Sequence, residues 1–270
     1  MSQPVANARM YSATPQLKAD WKVLLHWVLD HAALPWDLID YDAPAPLSAL
    51  WARDDLGVAM MCGLPYALRT PKPLIVAAPI PSPSRYQGKP VYFTDMVVRA
   101  DSSYRTLEDT FGSIAGYTLA DSMSGGVAFA HHLEQFRTAQ RPRLYTSTVG
   151  NLIHARGVID ALVRGVINVG PLDSYYHDLL MHNDPAFAAQ VRTIASTDPM
   201  PLPPLVATAA LSQGEMERLR EAFCATTHAP ELHAVMERLL LAGFAFPAPA
   251  DYDRVAAIAA LPHTTFPELP

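Results

Sequence analysis

The stretch Tyr117-Thr118-Leu119-Ala120-Asp121-Ser122-Met123-Ser124-Gly125-Gly126 carries a short extended triplet into a loop of serine and glycine, and residues 125–136 read on from it as a helix. Strand, tight loop and helix in that order are the repeating unit of α/β folds. The same order recurs on the C-terminal side. Arg143-Leu144-Tyr145 reads as a strand, 151–163 as a helix, Val166-Ile167-Asn168-Val169 as a strand, 171–180 as a helix and 191–194 as extended chain. On the N-terminal side, 90–99 reads as one longer strand. The continuous apolar runs Leu74-Ile75-Val76-Ala77-Ala78 and Gly57-Val58-Ala59-Met60-Met61 have the pattern of strands buried on both faces. Before them come a short piece at Leu38-Ile39, a helix over 16–31 with Leu17, Trp21, Leu24, Leu25 and Val28 at helical spacing, and a first strand ending at Arg9-Met10-Tyr11. Past the prolines at 199, 201, 203 and 204, the segment 205–208 reads as a strand, and helices follow over 212–223 and 231–241.

This alternation predicts mostly parallel sheets flanked by helices. The pattern restarts near residue 95, and the proline-dense stretch near 200 reads as a second crossing. Two lobes are therefore expected, one of 1–94 with 200–270 and one of 95–199, joined by two hinge crossings. Ligands in such sheets bind beyond the carboxyl ends of strands. That places four loops in the expected cleft: those after Tyr11, after Met61, after Leu119 and after Val169.

Composition narrows the class. Half of the 270 residues are apolar, which is enough for a sizeable core, and the formal charge is -6 with no run of basic residues. A nucleic-acid groove is not expected, and no apolar stretch approaches the length of a membrane span. Cys62 and Cys224 match no metal or redox spacing and read as two buried thiols, with a long-range disulfide as the alternative. Met1-Ser2-Gln3-Pro4-Val5-Ala6-Asn7 has neither a basic nor an apolar leader region. The expected location is therefore the periplasm if a leader was removed or missed, and otherwise the cytoplasm.

The loop 120–126 is the richest in chemistry. Ser122 and Ser124 offer hydroxyls, and Gly125 lets backbone amides approach a ligand at a helix start, where unpaired N–H groups and the helix dipole favour an anion. Serine before glycine is also an ordinary helix cap. Gly63 suits a tight turn, with Tyr66 either presenting its hydroxyl or packing as core. Tyr11 and Tyr92 stand near strand ends under the same alternatives. Asp173 either caps the next helix or accepts a proton from a ligand. A carboxylate there would repel a fully ionised phosphate, which favours a protonated anion or an amine-bearing ligand. His131-His132 are adjacent and His177 and His182 are five apart, so neither pair shares a helix face as a metal pair would, and no metal or cofactor is expected.

Taken together, the chain resembles the phosphate/phosphite/phosphonate substrate-binding family of ABC transporters, whose members have the type II periplasmic-binding fold. The resemblance is carried by Tyr92, Val97-Val98-Arg99-Ala100-Asp101-Ser102, Leu107-Glu108-Asp109, Ser122-Met123-Ser124-Gly125, the run from Val158-Ile159-Asp160 to Val166-Ile167-Asn168, Leu172-Asp173, Ala242-Gly243-Phe244 and Asp251-Tyr252-Asp253. It implies a solute-binding protein that closes around a small oxyanion-bearing ligand (phosphate, phosphonate or a phosphorylated metabolite), with an ABC transporter permease as partner. The family's Ser-Thr-Ser-Gly loop maps onto Ser122, Met123, Ser124 and Gly125, so the middle hydroxyl is replaced by Met123. Tyr92 and Asp173 take the places of family ligand residues, and His154 lies near a family Gly-Ser-His element whose spacing differs here. The alternatives are a cytoplasmic enzyme on the same fold, of menaquinone- or thiamin-pyrimidine-type chemistry, and a cytoplasmic ligand sensor.

Overall fold

The computed structural model describes residues 3–42 and 45–261. Residues 1–2, 43–44 and 262–270, all placed by sequence in the first lobe, lie outside the described residues. The elements in chain order begin with β1 Val5–Asn7, α1 Pro15–His31, β2 Asp37–Leu38, α2 Leu47–Trp51, β3 Leu56–Met60, α3 Gly63–Leu68 and β4 Leu74–Pro81. There follow β5 Val91–Tyr92, β6 Thr94–Arg99, β7 Ile114–Gly116, α4 Ala128–Leu133, β8 Ser147–Val149, α5 Ala155–Val163, β9 Gly170–Asp173, α6 Ser174–Asn183, α7 Pro185–Ala188 and β10 Val191–Ser196. The last are β11 Met200–Pro201, β12 Leu205–Ala207, α8 Gln213–Ala225, α9 His233–Arg238, β13 Leu241–Ala245 and α10 Asp253–Ala259. The contacts divide the chain into two compact units, 1–91 with 201–252 and 92–200 with 253–270.

The first unit is built on a six-stranded sheet in the order β13-β4-β12-β3-β1-β2. Strands β1 to β4 share one direction, and β12 and β13 run against them. Every residue of β3 is buried, as expected of a continuous apolar run in a sheet interior. Gly57 in β3 is there for space, since a methyl group would overlap the Trp36 ring. Helix α1 starts where Thr14 Oγ1 accepts from Leu17 N (3.2 Å) with Pro15 in the first turn, and it buries Leu17, Trp21, Leu24, Leu25, Val28 and Leu29. Its buried Asp20 takes two hydrogen bonds from Arg238 of α9 (2.7 and 2.8 Å), which lets a carboxylate sit under that helix without an unpaired charge.

In the second unit β6 lies between β10 and β9, antiparallel to both. Strands β7 and β8 pair in parallel, and Ala115 bridges Val169. Met96, Val98, Leu107, Phe129, Leu133, Leu144 and Tyr145 form its core.

Several strand positions differ from the sequence expectation, each for a visible reason. The first strand ends at Asn7 rather than Tyr11, because Asn7 Oδ1 accepts from Arg9 N (2.9 Å) and turns the chain. Run 90–99 is two strands, since Phe93 N leaves the ladder to donate to Ser174 Oγ (2.8 Å). Thr118 N donates to Gly125 O (2.9 Å), so the strand expected at 117–119 lies at Ile114–Gly116. Leu144 and Tyr145 are buried but unladdered, and the strand there is β8. The strand expected at 166–169 lies at Gly170–Asp173, so the following helix starts at Ser174 rather than at 171. Leu241, expected to end a helix, opens β13. Cys62 and Cys224 form no disulfide, and neither is buried as expected: Cys62 is partly exposed and Cys224 exposed.

Candidate functional site

In the second unit three helix starts are each capped by their own polar side chain. Ser122 is extended (φ -84°, ψ 125°), and its Oγ accepts from Gly125 N (3.1 Å). The turn that follows, Met123–Val127, is a π turn, in which Val127 N reaches back to Ser122 O (3.0 Å) before α4 continues. The N–H groups of Met123 and Ser124 stand at this start, where no preceding turn supplies acceptors. Glycine is required at both following positions. A methyl group on Gly125 would overlap Thr118 Oγ1, and one on Gly126 would come within 2.7 Å of Leu119 O. Met123 is wholly buried, so its side chain fills the interior of the unit and is not exposed on the loop. The Ser124 hydroxyl makes no hydrogen bond among the described residues, while Ser124 O accepts from Thr94 Oγ1 (3.2 Å).

His154 is exposed and caps α5, its Nδ1 accepting from Gly157 N (3.1 Å). That role puts the ring proton on Nε2, a donor suited to an anion. The backbone ties this start to the first one: Leu152 N donates to Tyr117 O and Ile153 N to Thr118 O. Asn151 (φ 57°) and Ile153 (φ 69°) both take left-handed backbone conformations, unfavourable for a β-branched residue.

Asp173 caps α6, with Oδ1 accepting from Tyr175 N (3.0 Å) and Tyr176 N (3.1 Å). In the ladder it stands opposite Thr94, whose hydroxyl reaches Ser124 O. The structure thus brings Ser122, Met123, Ser124, Gly125, His154 and Asp173 into one connected framework. Tyr92 is buried in β5, two residues before Thr94.

The remaining candidates belong to the first unit. Tyr11 (φ 56°, buried) follows β1 and Gly63 follows β3, so both come after the carboxyl-terminal ends of adjacent parallel strands. Tyr66 is fully buried, its ring edge-on to Tyr252 at 4.9 Å, so it lies in the core of this unit. The start of α3 has no side-chain cap from Cys62. Sequence reasoning missed Thr94 and Thr118, which brace the Ser122 loop, because threonines in extended runs look like ordinary strand residues.

Desolvation by burial pushes the Tyr176 hydroxyl above its ordinary value and holds the His132 imidazole below its own. A cavity of about 340 Å³ in the second unit, lined in part by His131, His132, Ser196, Thr197 and Arg254, contains none of the candidate residues. Among the described residues no group of three or more His, Cys, Asp or Glu side chains is placed to hold a metal ion, and no helix is long and apolar enough to cross a membrane.

Residues 11–252 match the family model described as ABC transporter, phosphonate, periplasmic substrate-binding protein. Solved structures share the fold. The binding-protein component of an ABC phosphonate transporter from Pseudomonas aeruginosa is 17% identical, covers 96% of this chain and 86% of its own, and superposes with a TM-score of 0.75. PhnD1 from Prochlorococcus marinus, solved with methylphosphonate, is 13% identical over 95% of this chain and 96% of its own, with a TM-score of 0.76. A Xanthomonas citri protein solved with ATP is 20% identical over 96% of each chain, with a TM-score of 0.63. No protein of curated function matches by sequence.

Proposed function

Because the chain belongs to the periplasmic substrate-binding proteins of phosphonate ABC transporters, we propose that it holds a phosphonate or a close oxyanion relative at the helix starts of Ser122, His154 and Asp173. The carrying observation is that three polar-capped helix starts are tied into one framework in a single unit. The N–H groups of Met123 and Ser124, the Ser124 hydroxyl and His154 Nε2 supply donors for the oxyanion. Asp173 contributes a negative charge, so it accepts from a protonated oxyanion or from an amine on the ligand. Tyr92, in the same unit, is a further contact candidate. The partner is the permease of an ABC transporter, and binding takes place in the periplasm.

A thermal-shift series with phosphate, phosphite, methylphosphonate and a pyrimidine phosphate tests this reading. A ligand at one hundred times its Kd raises stability by about 2.7 kcal/mol. At least one oxyanion is expected to raise the melt. If none does while a neutral metabolite does, the oxyanion reading is wrong.

A further inference from the structure

We propose that Thr94 is a positioning residue of the oxyanion loop, its hydroxyl holding the wide turn Met123–Val127 in the form that presents the Met123 and Ser124 N–H groups. The inference rests on the oxyanion reading of that loop. In this turn Val127 N and Ala128 N reach back five residues, to Ser122 O and Met123 O, instead of the usual four. So wide a turn needs support from outside the helix, and two of its carbonyls receive it. Gly125 O accepts from Thr118 N (2.9 Å), and Ser124 O accepts from Thr94 Oγ1 (3.2 Å). The first brace is backbone, so side-chain changes leave it in place. The second is one hydroxyl.

Thr94 is held firmly enough to act as a brace. It is 1% exposed. Its N donates to Thr197 Oγ1 (3.0 Å), and Thr197 N donates back to its O (3.0 Å). Across the ladder it faces Asp173, the cap of another helix start. A β-branched side chain in such a setting has little rotamer freedom, so its hydroxyl is pre-aimed at Ser124 O. Without that hydroxyl the turn relaxes towards ordinary α geometry and the loop must be reordered on binding, which weakens affinity.

The test uses the full chain and compares Thr94→Val, which keeps shape and backbone, with Thr94→Ser, which keeps the hydroxyl. Ser122→Ala is the reference for the loop itself, and Thr94→Ala is a second hydroxyl-free variant in case Thr94→Val does not fold. Calorimetric titration with methylphosphonate and with inorganic phosphate gives affinity, and amide NMR signals of residues 123–127 report the turn. Thr94→Val is expected to bind about tenfold more weakly and to shift those signals. Thr94→Ser is expected to stay close to the parent in both. Parent affinity in Thr94→Val overturns the proposal whatever happens to its melt, and so does equal weakening in Thr94→Val and Thr94→Ser. If Ser122→Ala also binds like the parent, or neither anion binds the parent, the oxyanion reading falls as well. A weakened Ser122→Ala beside an unchanged Thr94→Val removes the positioning role alone.

Discussion

Ser122 and Ser124 stand two residues apart and do different work. Ser122 Oγ is engaged as a helix cap, whereas the Ser124 hydroxyl has no partner among the described residues. Ser122→Ala therefore costs about 1 kcal/mol of stability as well as affinity. Ser124→Ala lowers affinity while leaving stability within about 0.5 kcal/mol. Urea unfolding beside calorimetric titration separates the two, and equal stability losses would contradict the assignment. From the chain alone a hydroxyl before a Gly pair at a helix start reads either as a cap or as a ligand donor, and the structure shows the cap at Ser122. The role of Met123 was not legible. A methionine in place of a family hydroxyl suggests a ligand with an apolar part or a weaker grip on the oxyanion, and the structure adds that its side chain is wholly buried. Which way a loop side chain turns depends on the packing around it, which local spacing does not encode. Tyr66 is the same case, an aromatic on a candidate loop that packs edge-on to Tyr252 from nearly two hundred residues away.

At the scale of elements, helices were more legible than strands. Helix α1 announces itself through Thr14, Pro15 and the spacing of its apolar face. The strands near 117, 143 and 166 were displaced by a few residues, because an apolar run marks burial while the ladder is set by which N–H finds which carbonyl. Helix α8 gives an element-level test. Ser212 Oγ accepts from Glu215 N, and the Glu215 carboxylate accepts from Ser212 N (2.8 Å), a reciprocal box. The Ser212 side chain, followed by the Ser212 backbone, holds the Glu215 carboxyl below its ordinary value. A carboxyl depressed in the folded state stabilises above its unfolded pKa of about 4.3, and that contribution is lost as pH falls through the folded value. Ser212→Ala should cost about 1 kcal/mol near neutral pH, and the deficit should narrow below about pH 4. Because Glu215 is only partly buried, salt screening reduces the pH-dependent part. Urea unfolding at both pH values checks it, and a deficit independent of pH would exclude the box.

On the scale of the whole molecule, the division into units has a feature that proline punctuation did not disclose. The chain passes between units at 91/92 and 200/201, near the positions marked by the restart of the strand–helix pattern and by the prolines, and then once more at 252/253. Within Asp251-Tyr252-Asp253, one of the segments that carry the family resemblance, Tyr252 is fully buried and its hydroxyl donates to Leu202 O (2.8 Å). Tyr252 thereby anchors the end of the first unit, and α10 continues into the second, where it packs against the turn Met123–Val127. Val255 and Ile258 bury its inner face. The C-terminal helix is thus part of the support of the loop assigned to the oxyanion, although no motif in it suggests binding. Ending the chain after Tyr252 keeps the anchor and removes the support. Loss of those two side chains costs about 3–5 kcal/mol as an upper estimate from buried area. The shortened chain should melt several degrees lower and bind methylphosphonate more weakly, with hydrogen exchange accelerated first at residues 123–130 and not in β3 or α1. Parent-like exchange at 123–130 in the shortened chain would show that the loop holds its form without α10.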